Sequence, residues 1–143
     1  MIRAVIFDLY GTLLTSARPP DTFFTLIRDA NVSDFRRAID VAQTVDLPTL
    51  TDFCRHLGVG LPPNIDELQA ELEQQVDAIA PFPDVISTLQ TLSDAEIPIG
   101  IISNLATPYK KPFFEHSLDK FAQAIVFSCD CGFRKPDPKI YRL

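Results

Sequence analysis

The chain has 143 residues, and 13 lysines and arginines against 19 acids give it a formal net charge of -6. That length suits one domain with a real core, and the acidic balance speaks against a nucleic-acid surface. No stretch reads as a secretory signal or as an apolar run able to span a bilayer, so the expected compartment is the cytoplasm, with no membrane partner.

In chain order, residues 3–7 predict a buried strand, because β-branched and aromatic residues run together without polar alternation. It stops at Asp8, and Gly11 lets the backbone turn sharply just beyond. A carboxylate at the C-terminal end of a parallel strand lies where ligands bind in open α/β sheets, and can serve as nucleophile or metal ligand. From about residue 19 to 80 the pattern is helical. Pro19-Pro20-Asp21 opens a first helix with Phe23, Phe24 and Ile27 on one face. Ser33 is the expected cap of a second, carrying Phe35, Ile39 and Ala42. A third covers residues 49–57 and stops at Gly58. Asn64-Ile65-Asp66-Glu67 reads as a capping box for a long fourth helix.

After Pro81 the rhythm becomes strand and helix. The spacing predicts a helix over 83–93, a strand over 98–102, a helix over 109–118, a strand over 124–127, and a short helix opening at Asp137. This predicts a doubly wound parallel sheet. The three cysteines, Cys54, Cys129 and Cys131, fit a reducing compartment better than a disulfide framework. Their spacing with His56 is not that of a zinc site, so they read as half-buried thiols.

Three stretches carry a resemblance: Val5-Ile6-Phe7-Asp8-Leu9-Tyr10-Gly11-Thr12, Ile99-Gly100-Ile101-Ile102-Ser103-Asn104, and Gly132-Phe133-Arg134-Lys135-Pro136-Asp137-Pro138. In this order they resemble motifs I, II and III of the haloacid dehalogenase superfamily. The resemblance implies an α/β Rossmann-like core at residues 1–15 and 81–143, with a helical-bundle cap of the C1 type inserted over residues 16–80. It also implies that the first strand is central, between the second strand and a fourth. That fourth strand, and the acidic motif IV that follows the family's third, do not precede Leu143. The core is therefore expected to be incomplete at its C-terminal side, with an open edge on the first strand and impaired catalysis. Pairing with a second copy through that edge is one expectation, and a non-catalytic interaction module is an alternative role.

Asp8 is the candidate nucleophile, forming a covalent ester or acyl phosphate that water then cleaves. Lys135 can neutralise charge in the transition state, and Pro136 and Pro138 stiffen the backbone around it. Ser103 can donate a hydrogen bond to a substrate oxygen. The Ser-Asn pair of the dehalogenase branch adds Asn104, and Thr12 is expected to help hold the turn after Asp8. Tyr10 stands where the superfamily's phosphatases carry a second aspartate that protonates the leaving alkoxide. A phenol, with its ordinary pKa of about 10, is poorly matched to that task, whereas a halide leaves without a proton. The dehalogenase branch itself has tyrosine here. The resemblance further asks the cap for an arginine, and Arg28, Arg36 and Arg37 are available, with Arg36 and Arg37 as substrate-binding candidates. The leading expectation is a hydrolase acting on a small anionic, 2-haloacid-like substrate without a required cofactor. The alternative is a phosphatase using Mg²⁺ held in part by Asp8.

Overall fold

A computed structural model describes residues 2–15 and 22–142. Its main sheet has three parallel strands in the order β1-β4-β5, where β1 is Val5–Phe7, β4 Ile99–Ser103 and β5 Ala124–Phe127. Phe7 lies opposite Ile101, and Ser103 opposite Phe127, so the C-terminal ends of all three strands share one rim. The sheet is α/β and parallel, as the alternation of residues after Pro81 predicts.

The first strand has one neighbour, β4, and its other edge is open, as expected; its burial is what departs from expectation. Ile6 is 64% exposed and the preceding Ile2 69%. The apolar run therefore predicts the strand but not its burial, because nothing among the described residues covers the second edge.

A two-residue strand β2 (Leu14–Thr15) pairs antiparallel with β3 (Ala80–Pro81). This ladder ties together the two ends of the helical segment, and its pieces are too short to show in a sequence pattern. The segment contains α1 (Thr22–Asp29), α2 (Phe35–Thr44), α3 (Leu50–Leu57) and α4 (Ile65–Asp77). The expected opening of α1 at residues 19–21 lies outside the described residues. Phe23 and Ile27 are buried as predicted, but Phe24 is half-exposed and stacks on Phe35, with ring centroids 5.6 Å apart.

Capping follows the sequence in one helix and not in two others. At α3, Thr49 accepts a hydrogen bond from the Asp52 amide, and Gly58 closes the helix at φ 71°, a region where a Cβ is disfavoured. At α2 the cap is Asp34, which accepts from the Arg37 amide, one residue beyond the expected Ser33. At α4, Asn64 makes no cap bond. Its amide instead donates to Asp29 Oδ2 at 3.1 Å.

Beyond β3, α5 is Val85–Asp94. The helix predicted over 109–118 is broken into a 3-10 turn, Thr107–Lys110, and the short α6, Lys111–Glu115. Ser117 follows at φ 56°, where a right-handed helix cannot continue. A short α7, Ser128–Cys131, follows β5, and residues Pro138–Arg142 form a 3-10 turn. Cys54 and Cys129 are buried free thiols and Cys131 is half-buried and free.

Two hydrophobic clusters result. One packs Leu9, Ile99, Ile101, Leu89, Phe113 and Phe127 around the sheet. The other packs Phe23, Leu26, Phe53, Leu50, Leu72 and Val76 among the four helices, with Ala106 joining it from beyond β4. Partly buried Tyr109 packs against both.

Candidate active site

The turn after β1 is built around one carbonyl. The Leu9 oxygen accepts from the amides of Thr12, Leu13 and Leu14 at 3.3, 2.8 and 2.9 Å. Gly11 makes this possible at φ 76°. The expected part of Thr12 in holding the turn is met by its backbone amide. The turn fixes Asp8 at the rim, one residue past β1.

Three donors converge on Asp8, and all three meet Oδ1. The Leu9 amide lies at 2.7 Å, Ser103 Oγ at 2.9 Å and Lys135 Nζ at 3.0 Å. Among the described residues none reaches Oδ2. One carboxylate oxygen is thus anchored while the other keeps its lone pairs free on a side chain that is 45% exposed. This is the arrangement an attacking carboxylate requires.

Lys135 is itself held on several sides. Its Nζ also donates to the Ile102 carbonyl at 2.9 Å. Asn104 grips its backbone, with Oδ1 accepting from the Lys135 amide at 2.8 Å and Nδ2 donating to the Lys135 carbonyl at 3.0 Å. Ser128 fixes the following residue, its Oγ accepting from the Leu105 amide at 3.1 Å. Asp8, Ser103, Asn104 and Lys135 are therefore brought together as the three motifs suggest, although residues 8 and 135 are far apart in sequence. Two roles differ in detail. The Ser103 hydroxyl, on a buried residue, spends its single proton on Asp8. Both halves of the Asn104 amide are spent on Lys135.

Tyr10 points elsewhere. Its hydroxyl donates to the Tyr109 carbonyl at 2.7 Å, and the two rings meet edge to face at 5.7 Å. Burial, with the Tyr109 phenol beside it, pushes the Tyr10 phenol well above its usual range. A phenol so committed is a poor proton donor to a leaving group.

The cap arginines stand apart from this cluster. Arg36 and Arg37 are exposed on α2, and neither lines the cavity between the helical segment and the sheet. Arg28 is exposed and pairs with Asp29 at 2.9 Å. The arginine that does join the two halves is Arg134, whose Nε lies 3.0 Å from Asp40 and whose Nη1 donates to Gln43 at 3.0 Å. It stands in the third motif, beside Lys135, and that adjacency was the available signal. Tyr109 and Gln43 left no such signal.

The donor set for a metal is thin. A Mg²⁺ ion asks for several oxygen ligands in near-octahedral order. Among the described residues no group of three or more His, Cys, Asp and Glu converges, and the one carboxylate at the rim already meets an ammonium at 3.0 Å. These residues by themselves do not fit the ion.

Comparison with known proteins agrees with the architecture. The family model of the haloacid dehalogenase-like hydrolases matches residues 2–143. A glyceraldehyde 3-phosphate phosphatase of Methanopyrus kandleri is 27% identical over 165 aligned positions, covering 99% of this chain and 68% of the relative. Among solved structures, a HAD-superfamily hydrolase from Ehrlichia chaffeensis superposes with a TM-score of 0.55 at 23% identity, covering 98% of this chain and 69% of that one. A HAD family enzyme from Bacteroides thetaiotaomicron gives 0.66 at 14% identity, with 99% and 75% covered. No helix among the described residues is long and apolar enough to cross a membrane.

Proposed function

Because the chain belongs to the haloacid dehalogenase-like hydrolases, we propose that Asp8 is its nucleophile and that it displaces a halide from the carbon next to a carboxylate. The carrying observation is the asymmetry of Asp8, with Oδ1 held by Leu9, Ser103 and Lys135 and Oδ2 met by no described residue. Oδ2 attacks the carbon from the side opposite the halogen. The carbon–oxygen bond forms as the carbon–halogen bond breaks, and the halide leaves with the bonding pair. Water then adds to the Asp8 carboxyl carbon of the ester, which expels the 2-hydroxy acid and restores the carboxylate. The first step needs no proton donor, which suits a Tyr10 hydroxyl bonded to the Tyr109 carbonyl. Lys135, with its ammonium 3.0 Å from Oδ1, offsets the negative charge gathered around the reacting centre. Residues 16–80 serve as the cap over this rim.

A second reading is supported by the phosphatase relative. Here Asp8 would attack phosphorus of a small phosphate ester, and a bound Mg²⁺ would supply positive charge to the phosphoryl oxygens. This reading needs oxygen ligands beyond those that converge at Asp8 and a proton source other than Tyr10.

The test is parallel measurement of halide release from 2-haloalkanoates and phosphate release from small phosphate esters, for the native protein and Asp8→Asn. The expected outcome is halide release that is retained with a chelator and falls by at least about 10³-fold in Asp8→Asn, whose amide cannot attack. Phosphate release alone, dependent on added Mg²⁺, would overturn the leading reading in favour of the second.

A further inference from the structure

A cavity of about 500 Å³ lies between the helical segment and the sheet, bordered by Phe23 and Ile39 on one side and Tyr10, Asn104 and Tyr109 on the other. Its size is within the roughly 300–1,000 Å³ of small-molecule sites. Asn104, one of its lining residues, is hydrogen-bonded to the backbone of Lys135, which links the cavity wall to the reactive cluster. No described residue lining it carries a charge.

Several of the polar groups at its wall are already engaged. The Tyr10 hydroxyl is bonded to a backbone carbonyl, both halves of the Asn104 amide to the Lys135 backbone, and Gln43 Oε1 to Arg134. A charged or hydroxyl-rich substrate body entering here would lose its water and find few partners, an unfavourable exchange. An apolar body loses little and gains the burial term.

From this we infer that the enzyme selects, for whichever anion reacts at Asp8, a substrate whose remaining body is apolar, of the size of a branched alkyl or phenyl-bearing group, against dicarboxylates and sugar phosphates. This deepens the proposed function and rests on it for the placement of the reacting carbon at Asp8.

Binding, measured separately from turnover, tests the inference even if the chemistry is misassigned. Calorimetric titration of the native protein would use unreactive acids: acetate, butanoate, hexanoate, 3-phenylpropanoate and succinate, with the matching alkyl phosphonates. Affinity is expected to rise about threefold for each added methylene, with succinate the weaker partner of butanoate. Ala42→Leu narrows the cavity and should lower the ratio of phenylpropanoate to butanoate affinity by roughly tenfold. If leucine cannot be accommodated at this buried position, Phe24→Ala, at a half-exposed one, should lower the same ratio by about threefold. Affinity that is flat or falling with chain length, tighter binding of succinate, or no binding of any apolar member would overturn the inference. Halide release together with a flat ladder would leave the reaction standing and remove the selectivity. A rising ladder without halide release would do the reverse.

Discussion

At Asp8 a single residue type does two things at once: Oδ1 collects an amide, a hydroxyl and an ammonium, and Oδ2 remains available. Anchoring one oxygen fixes the direction of the other, so in the proposed reaction the entropy of orienting the attacking atom is met in folding. Elsewhere a single buried thiol gives the molecule a readable pH response. Burial pushes Cys129 up to about 11, helped by the Asp130 carboxylate and opposed by the neighbouring Thr107 and Lys110. The folded state therefore holds this proton more tightly than the unfolded chain, whose thiol titrates near 9.0. Its contribution to stability is complete below pH of about 9 and is lost as pH rises towards about 11. Urea unfolding of the native protein should show this decline, of the order of 2 kcal/mol. In Cys129→Ala the decline should be smaller, carried by Cys54, whose thiol is also raised by burial, and by Tyr10. A native-like slope in that variant would remove the Cys129 thiol as the cause.

The helices show how local signals compete with distant partners. Thr49 and Asn64 look alike in sequence, each a capping residue before an apolar-periodic run. Thr49 does cap α3, whereas the Asn64 amide is drawn to Asp29 on another helix. Thr49→Ala should accordingly cost about 1 kcal/mol, and Asn64→Ala less than about 0.5 kcal/mol because its half-exposed bond is replaced by water. Denaturant midpoints of the two variants decide this, and equal losses would contradict the assignment of caps. The same competition marks the limits of the sequence reading. The strand over 124–127, the stop at Gly58 and the cluster of Asp8, Ser103 and Lys135 were legible, because each depends on residues adjacent in the chain or on ordered motifs. The break of the helix near Ser117 and the two-residue ladder joining Leu14–Thr15 to Ala80–Pro81 were not. They follow from how segments meet in space. Arg36 and Arg37 illustrate the point from the other side. A helix pattern cannot tell which of its charges faces a site, and the structure gives the link between the two halves to Arg134.

Seen whole, the molecule sets an apolar helical cluster against a sheet-centred one, joined by Tyr109 and Ala106 and by a set of polar contacts. Arg134 reaches Asp40 and Gln43, Thr107 donates to Asp46 at 2.8 Å, and Lys111 lies 2.6 Å from Asp77. Exposed pairs of this kind contribute little to stability, so they orient the two halves more than they bind them. The cavity lies along that seam, with Tyr10 and Asn104 of the first two motifs on its wall. In the proposed reaction Asp8 itself carries the reacting group. Single turnover of a 2-haloalkanoate in H₂¹⁸O, followed by mass analysis of peptides and product, tests it most directly. The account predicts one ¹⁸O in the peptide containing Asp8 and an unlabelled 2-hydroxy acid, since the product's new oxygen comes from the carboxylate. Label in the first-turnover product, with none in Asp8, would mean that water attacks the substrate directly and would contradict it.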